Sequence, residues 1–437
     1  MQFAMPAASA EKSCPLARLL GWDTLRGLAA FLVVLLHAGI PYMVSPFPHL
    51  VWPARDADPS MTVDAVVWCA ECFIMPLFFV MGGFFSQGLL SSRGKRKFLV
   101  GRTKRLLLTQ LAAGIVILPA CLLIWTLGWI GDGILTPSQV LQLGFPAEIW
   151  NDLWGNSHLW FLQYLYVYCL GLCGISWLRM RLRSADCSGP IRDPRFVCCV
   201  DAILGSVWKP LLPTIPCAMI LYYDPRIVLG FYQTFLPVVS KLTYYWIYFF
   251  VGACIYRHRT KLHLHARYGW SYLILSGLIF SVTLPLIREH LSPHSTGENR
   301  LLLAGLLSLF AWVTTFGLLA VFLNLQLDTR ATRYFAEASF WVYLIHLPLV
   351  VLTQIAIVQL PVVTVGKYAI VFAVTMILSL ASYQVFVRNR WLGEFLNGQC
   401  RVKVPQFSDP TPIFAQPIGA VMLTTPLQPS FDLKKAG

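Results

Sequence analysis

The chain has 437 residues, of which 57% are apolar and 12% charged, with a formal net charge of +14. That balance excludes an ordinary soluble domain. The basic excess does not point to nucleic acid either, because Lys and Arg gather on alternate loops between long apolar stretches.

Residues 1–20 read as a cytoplasmic N-terminal segment, without the apolar core and small-residue cleavage site of a signal peptide. A helix needs about 20 apolar residues to cross a hydrocarbon core of about 30 Å. About ten such stretches follow, at 24–44, 63–90, 106–131, 158–178, 202–223, 241–256, 269–287, 301–324, 336–360 and 368–388. The fifth is interrupted by Asp201, Lys209, Pro210, Pro213 and Pro216, and the sixth is short. Basic groups follow the second stretch (Arg93 to Arg105), the fourth (Arg179 to Arg195), the sixth (Arg257 to Arg267), the eighth (Arg330, Arg333) and the tenth (Arg388, Arg390). The 132–157 connection has no Lys or Arg and carries Asp132, Glu148 and Asp152. The positive-inside rule then puts both termini in the cytoplasm. The expected fold is all-α: a polytopic membrane helix bundle over 21–397, with a proline-rich, poorly ordered cytoplasmic tail at 398–437.

Ionisable residues inside such stretches are costly unless they face a polar cavity, so they mark function by default. Arg26 and His37 lie eleven positions apart on the first stretch. At about 100° and 1.5 Å per residue they share a face, about 16 Å apart along the axis. His37 falls about 10 Å below the outer surface, and Glu71, on the descending second helix, about 12 Å below it. The two are therefore expected to meet, the carboxylate holding the imidazole's tautomer and raising its basicity. The plainer alternative is a buried hydrogen-bonded pair joining two helices, with a contribution of about 0.6–2 kcal/mol.

His158 opens the fourth stretch, where Trp160 and Tyr164 can serve as interfacial anchors. His346 sits mid-way along the ninth, two residues before Pro348; the missing N–H of that proline calls for a kink or a partner group nearby. The Cys69–Cys72 spacing lies within a helix and lacks a second pair, and His258, His263 and His265 lack a matching ligand cluster. No metal is assigned to either group.

Five segments carry a family resemblance in order along the chain. They are Trp22-Asp23-Thr24-Leu25-Arg26-Gly27-Leu28 leading to His37, Met75-Pro76-Leu77-Phe78-Phe79, the basic run from Phe98 to Leu108, His158-Leu159-Trp160-Phe161-Leu162, and Ser339 to His346. With these the chain resembles the acyltransferase-3 family of integral membrane O-acyltransferases. Leu36-His37-Ala38-Gly39-Ile40-Pro41-Tyr42 and the run from Arg390 to Gly398 point to its branch that succinylates periplasmic glucans. Where the family usually has Leu-Ser-Gly, this chain has Met81-Gly82-Gly83, so no serine is given a role there.

The resemblance implies a multi-pass protein of the bacterial inner membrane. Its donor would be cytoplasmic acyl-CoA and its acceptor a carbohydrate hydroxyl outside the membrane, with no bound cofactor. It carries the family's arginine and histidine over as Arg26 and His37. A sugar hydroxyl needs a base at neutral pH, and His37 fits as base or as transient acyl carrier. Arg102 and Arg105 can pair with the phosphates of CoA. His158, Trp160 and His346 are candidates for substrate contact, and Glu71 joins Arg26 and His37 in the catalytic group. Intramembrane ionisable groups also suit a proton-coupled secondary transporter, although no five-plus-five internal repeat is evident. A membrane scaffold would leave the cost of burying His37, Glu71 and His346 unexplained.

Overall fold

Backbone N–H and C=O groups in hydrocarbon must be satisfied within the chain, and here helices do it. The computed structural model describes residues 20–185, 212–259, 262, 266–325, 327 and 329–397, all within a unit that runs to Gly398. The expected terminal segments 1–20 and 398–437 lie outside these residues apart from Leu20, as do Asp201, Lys209, Pro210, Arg192, Arg195, Lys261, His263 and His265.

In chain order come α1 (Leu20–Gly39), α2 (Met61–Arg93), α3 (Lys95–Arg102) and α4 (Thr109–Gly131), the last two joined by a π turn at Thr103–Leu108. The short α5 (Pro137–Leu141) and α6 (Ala147–Leu153) precede α7 (Trp160–Ala185). Then follow α8 (Thr214–Tyr223), α9 (Arg226–Leu229), α10 (Val239–Arg257), α11 (Gly269–Leu291), α12 (Arg300–Asn324), α13 (Arg330–Ile357), α14 (Thr364–Ser382) and α15 (Trp391–Asn397). The described residues contain no strand. The architecture is thus the all-α polytopic bundle.

Eight segments of the described chain are long and apolar enough to cross a membrane. The two expected spans outside that set have specific causes. Only residues 212–223 of the fifth are described, ten of them as α8, and the sixth, α10, carries Lys241 and the buried Tyr244, Tyr245 and Tyr248, which lower its hydropathy. Those tyrosines face the interior of the bundle, where Phe79 of α2 meets Tyr245 at 4.9 Å between ring centres.

Two parallel helix pairs position everything that follows. In the first, α10 lies along α2. A Cβ on Gly83 would overlap the carbonyl oxygen of Phe249, and one on Gly252 that of Val80, so only glycine permits this approach. Arg257 donates to the side-chain oxygen of Gln87 at 3.4 Å, fixing a register of 170 residues. In the second, α1 lies along α13: Arg26 donates to the carbonyl of Ala336 at 3.1 Å, and ten residues on along α13 the ring of His346 packs against that of His37 at 4.9 Å. Gly83, the one position of Met81-Gly82-Gly83 that agrees with Leu-Ser-Gly, therefore has a packing role.

Gly252→Ala should destabilise the folded protein by about 1–3 kcal/mol through overpacking against Val80. Gly101, which has open space around its Cβ position, is the control. Thermal unfolding in detergent should show a clear loss for Gly252→Ala and little change for Gly101→Ala.

Candidate active site

Pro348 has no N–H, so the carbonyl of Leu344 four residues earlier lacks its usual helix donor. His158 supplies one: its Nε2 lies 2.9 Å from the Leu344 oxygen. This is the partner group that the proline calls for. A carbonyl only accepts, so Nε2 carries the proton and Nδ1 keeps its lone pair. The Tyr343 hydroxyl donates to the carbonyl of His158 at 2.6 Å and holds the same turn.

The other two imidazoles are fixed by the same logic. His37 Nδ1 lies 2.8 Å from the Val33 oxygen, and His346 Nδ1 lies 2.7 Å from the Tyr343 oxygen. Each therefore presents Nε2 as an acceptor. His346 is the middle ring, 4.9 Å from His37 and 5.1 Å from His158 between ring centres. Its Nε2 and the Nδ1 of His158 are buried without a partner among the described residues. No group of three His, Cys, Asp or Glu among those residues is arranged to hold a metal ion.

His37 stands at the last turn of α1, where backbone carbonyls lose their partners. Gln354 of α13 caps them, its amide donating to the carbonyls of His37 at 2.9 Å and Ala38 at 3.1 Å. Trp52 in turn donates to the Gln354 side-chain oxygen at 2.9 Å.

Two cavities lie in this part of the bundle, and His37 and His158 line only the first. One, of about 180 Å³, is lined by His37, His158, Glu71, Trp160 and Lys241 with aromatic walls that include Trp52 and Trp125. The second, of about 390 Å³, is lined by Arg26, Arg102, Arg105, Asp23, Ser86 and Tyr343 with largely apolar walls. Met75 lines both. In the arginine chamber Arg26 pairs with Asp23 at 3.3 Å, Arg102 donates to Ser86 at 3.2 Å, and Arg105 lies over the Phe340 ring at 5.7 Å. Three guanidinium groups thus face one carboxylate among the described lining residues. That excess suits an anion.

The expected residues therefore fall into two sets: His37, Glu71, His158 and Trp160 line one chamber, and Arg26, Arg102 and Arg105 the other. His346, wholly buried, packs between His37 and His158. One expectation needs correction. Glu71 does not hold the tautomer of His37; the Val33 carbonyl does, because an imidazole on a helix reaches back to the preceding turn. His158 and Trp160 are likewise walls of a cavity, and Tyr164 is buried, accepting from the backbone N–H of Val238 at 2.8 Å. Lys241, Gln354 and Trp52 join the site from outside the motifs, and Tyr343 from within the Ser339–His346 run. A lone lysine at the head of an aromatic-rich helix was a visible signal for Lys241, whereas Gln354 had none apart from its position beside the ninth apolar stretch.

A family model described as an acyltransferase domain, acyltransferase 3, matches residues 19–384. The chain belongs to that family and is a membrane acyltransferase. Among curated proteins it is similar to glucans biosynthesis protein C of Escherichia coli strain SMS-3-5, at 26% identity over 333 residues, covering 74% of this chain and 81% of that protein. The protein of the same name from Escherichia coli O157:H7 gives the same identity and coverage. No solved structure gives a significant match.

Gln354→Leu removes the amide that caps α1 and frees the His37 backbone. Acyl transfer should fall about tenfold or more, since small misplacements of a reacting group are costly. Membrane insertion and thermal unfolding should stay near wild type; an unchanged turnover would exclude this positioning role.

Proposed function

We propose that the protein moves an acyl group from a CoA thioester in the arginine chamber to a carbohydrate hydroxyl in the histidine chamber. The observation that carries this reading is a pair of neighbouring cavities with Met75 in the wall of both: a cationic one lined by Arg26, Arg102 and Arg105, and an aromatic-walled one lined by His37, whose Nε2 is left as an acceptor. Succinyl is the acyl group and a periplasmic glucan the acceptor by the family resemblance. The relatives' name, which speaks of glucan biosynthesis, supports the acceptor class.

The chemistry balances with this chain's own groups. His37 Nε2 takes the proton of the acceptor hydroxyl as its oxygen attacks the thioester carbon. The C–S bond then breaks, the ester forms, and the imidazolium returns the proton to the departing thiolate. His346 and His158 surround this proton with acceptor nitrogens. Arg26, Arg102 and Arg105 hold the diphosphate and phosphate of CoA, each through charge-assisted contacts of about 1.5–3 kcal/mol. The basic loops at 91–105, 179–196 and 257–267 face the cytoplasm, and 132–157 faces the other side. The transporter alternative lacks support from the family match.

His37→Gln should abolish transfer while preserving insertion and thermal unfolding. Loss of a catalytic base typically costs 10²–10⁴-fold, so activity above about a tenth of wild type would remove the role. Arg26→Gln should weaken donor use by about tenfold, with a smaller effect for Arg102→Gln. For topology, cysteines placed in 91–105 and 257–267 should be shielded from an impermeant thiol reagent in intact cells and one in 132–157 labelled. Labelling with the opposite pattern would reverse the direction of transfer.

A further inference from the structure

The register of 170 residues that joins Gln87 to Arg257 also relates Glu71 to Lys241, 16 residues nearer the histidines. Gly83 and Gly252 lie about 17 Å along their helices from this pair, so their contacts set its level from a distance. Both side chains line the histidine chamber. Lys241 is 8% exposed, and its ammonium stands 3.6 Å from the centre of the Trp160 ring. Each charge acts on the other electrostatically, yet no ion pair within 4.0 Å joins them. A buried cation and a half-buried anion held apart in one cavity are costly unless something hydrogen-bonds to both.

We propose that Glu71 and Lys241 form a two-point subsite for a neutral polyhydroxyl acceptor, gripping neighbouring hydroxyls while another faces His37. A hydroxyl both donates and accepts, so it satisfies a carboxylate and an ammonium at once. A carboxylate ligand would be opposed by Glu71 and an amine by Lys241, whereas a neutral polyol meets neither penalty. Aromatic walls with a few placed polar groups are the usual make-up of such sites. This assignment rests on the acyl-transfer reading and names the acceptor side of it.

The test is calorimetric binding of a neutral gluco-oligosaccharide to the full-length protein in detergent, which needs no turnover, alongside steady-state kinetics with the acceptor varied. Lys241→Met and Glu71→Gln should each weaken oligosaccharide binding and raise acceptor KM about tenfold or more, with donor KM moving less than about twofold. Because the two groups grip one ligand, the double variant should lose far less than the product of the single losses. Lys241→Arg keeps the charge and its donors and should recover part of the affinity, a recovery that general misfolding would not give. Oligosaccharide affinity equal to wild type in Lys241→Met would overturn the subsite, as would a wild-type protein that binds no oligosaccharide. So would a defect confined to donors whose acyl chain ends in a carboxylate, which would assign Lys241 to the acyl group. Binding that follows the expected pattern in a protein inactive with acyl-CoA would keep the subsite and discard the donor assignment.

Discussion

Hydrogen bonds from imidazole to backbone carbonyl set the chemistry of this bundle. A histidine buried in apolar surroundings can point either nitrogen anywhere unless something fixes its proton. Here Val33, Leu344 and Tyr343 each offer a carbonyl, and each leaves one ring nitrogen as a bare acceptor. For His158 the carbonyl is available only because Pro348 cannot use it. A residue that weakens a helix thereby orients a side chain from another one. The cap that Gln354 places on α1 does the same for the backbone under His37.

Charge is divided between the two ends of α1. Arg26 opens the helix and His37 closes it, and α13 runs beside both, from Ala336 to His346. In the proposed reading, a polyanionic donor meets guanidinium groups at one end, and a poor nucleophile meets an imidazole acceptor nitrogen at the other. A donor spanning this distance would put its thioester carbon beside His37. Such an arrangement lets donor and acceptor approach from opposite sides without either having to cross the bundle.

Much of this was legible in the residues because it depends on periodicity along one helix. The spans, the shared face of Arg26 and His37, and the family motifs all follow from spacing. The partner of His37 was not legible, since depth counting places Glu71 at the correct level but says nothing of rotation about α2. Rotation is fixed by the contacts of Gly83 and Gly252, which pair α2 with α10 and turn Glu71 toward Lys241. The same contacts account for Gly83 and leave the change from Leu-Ser to Met81-Gly82 without a structural explanation. Lys241 escaped attention because a lysine at the edge of a span usually snorkels to the surface, whereas this one is buried over Trp160.

The central claim is that a donor held in the arginine chamber reaches His37 past Met75, which lines both chambers. Cryo-electron microscopy of the protein with an unreactive thioether analogue of acyl-CoA tests it most directly. The account predicts nucleotide phosphates among Arg26, Arg102 and Arg105, and the carbon that replaces the thioester carbonyl facing His37 Nε2. Density for the nucleotide in the chamber of Glu71 and Lys241, or an acyl group remote from His37, would contradict it.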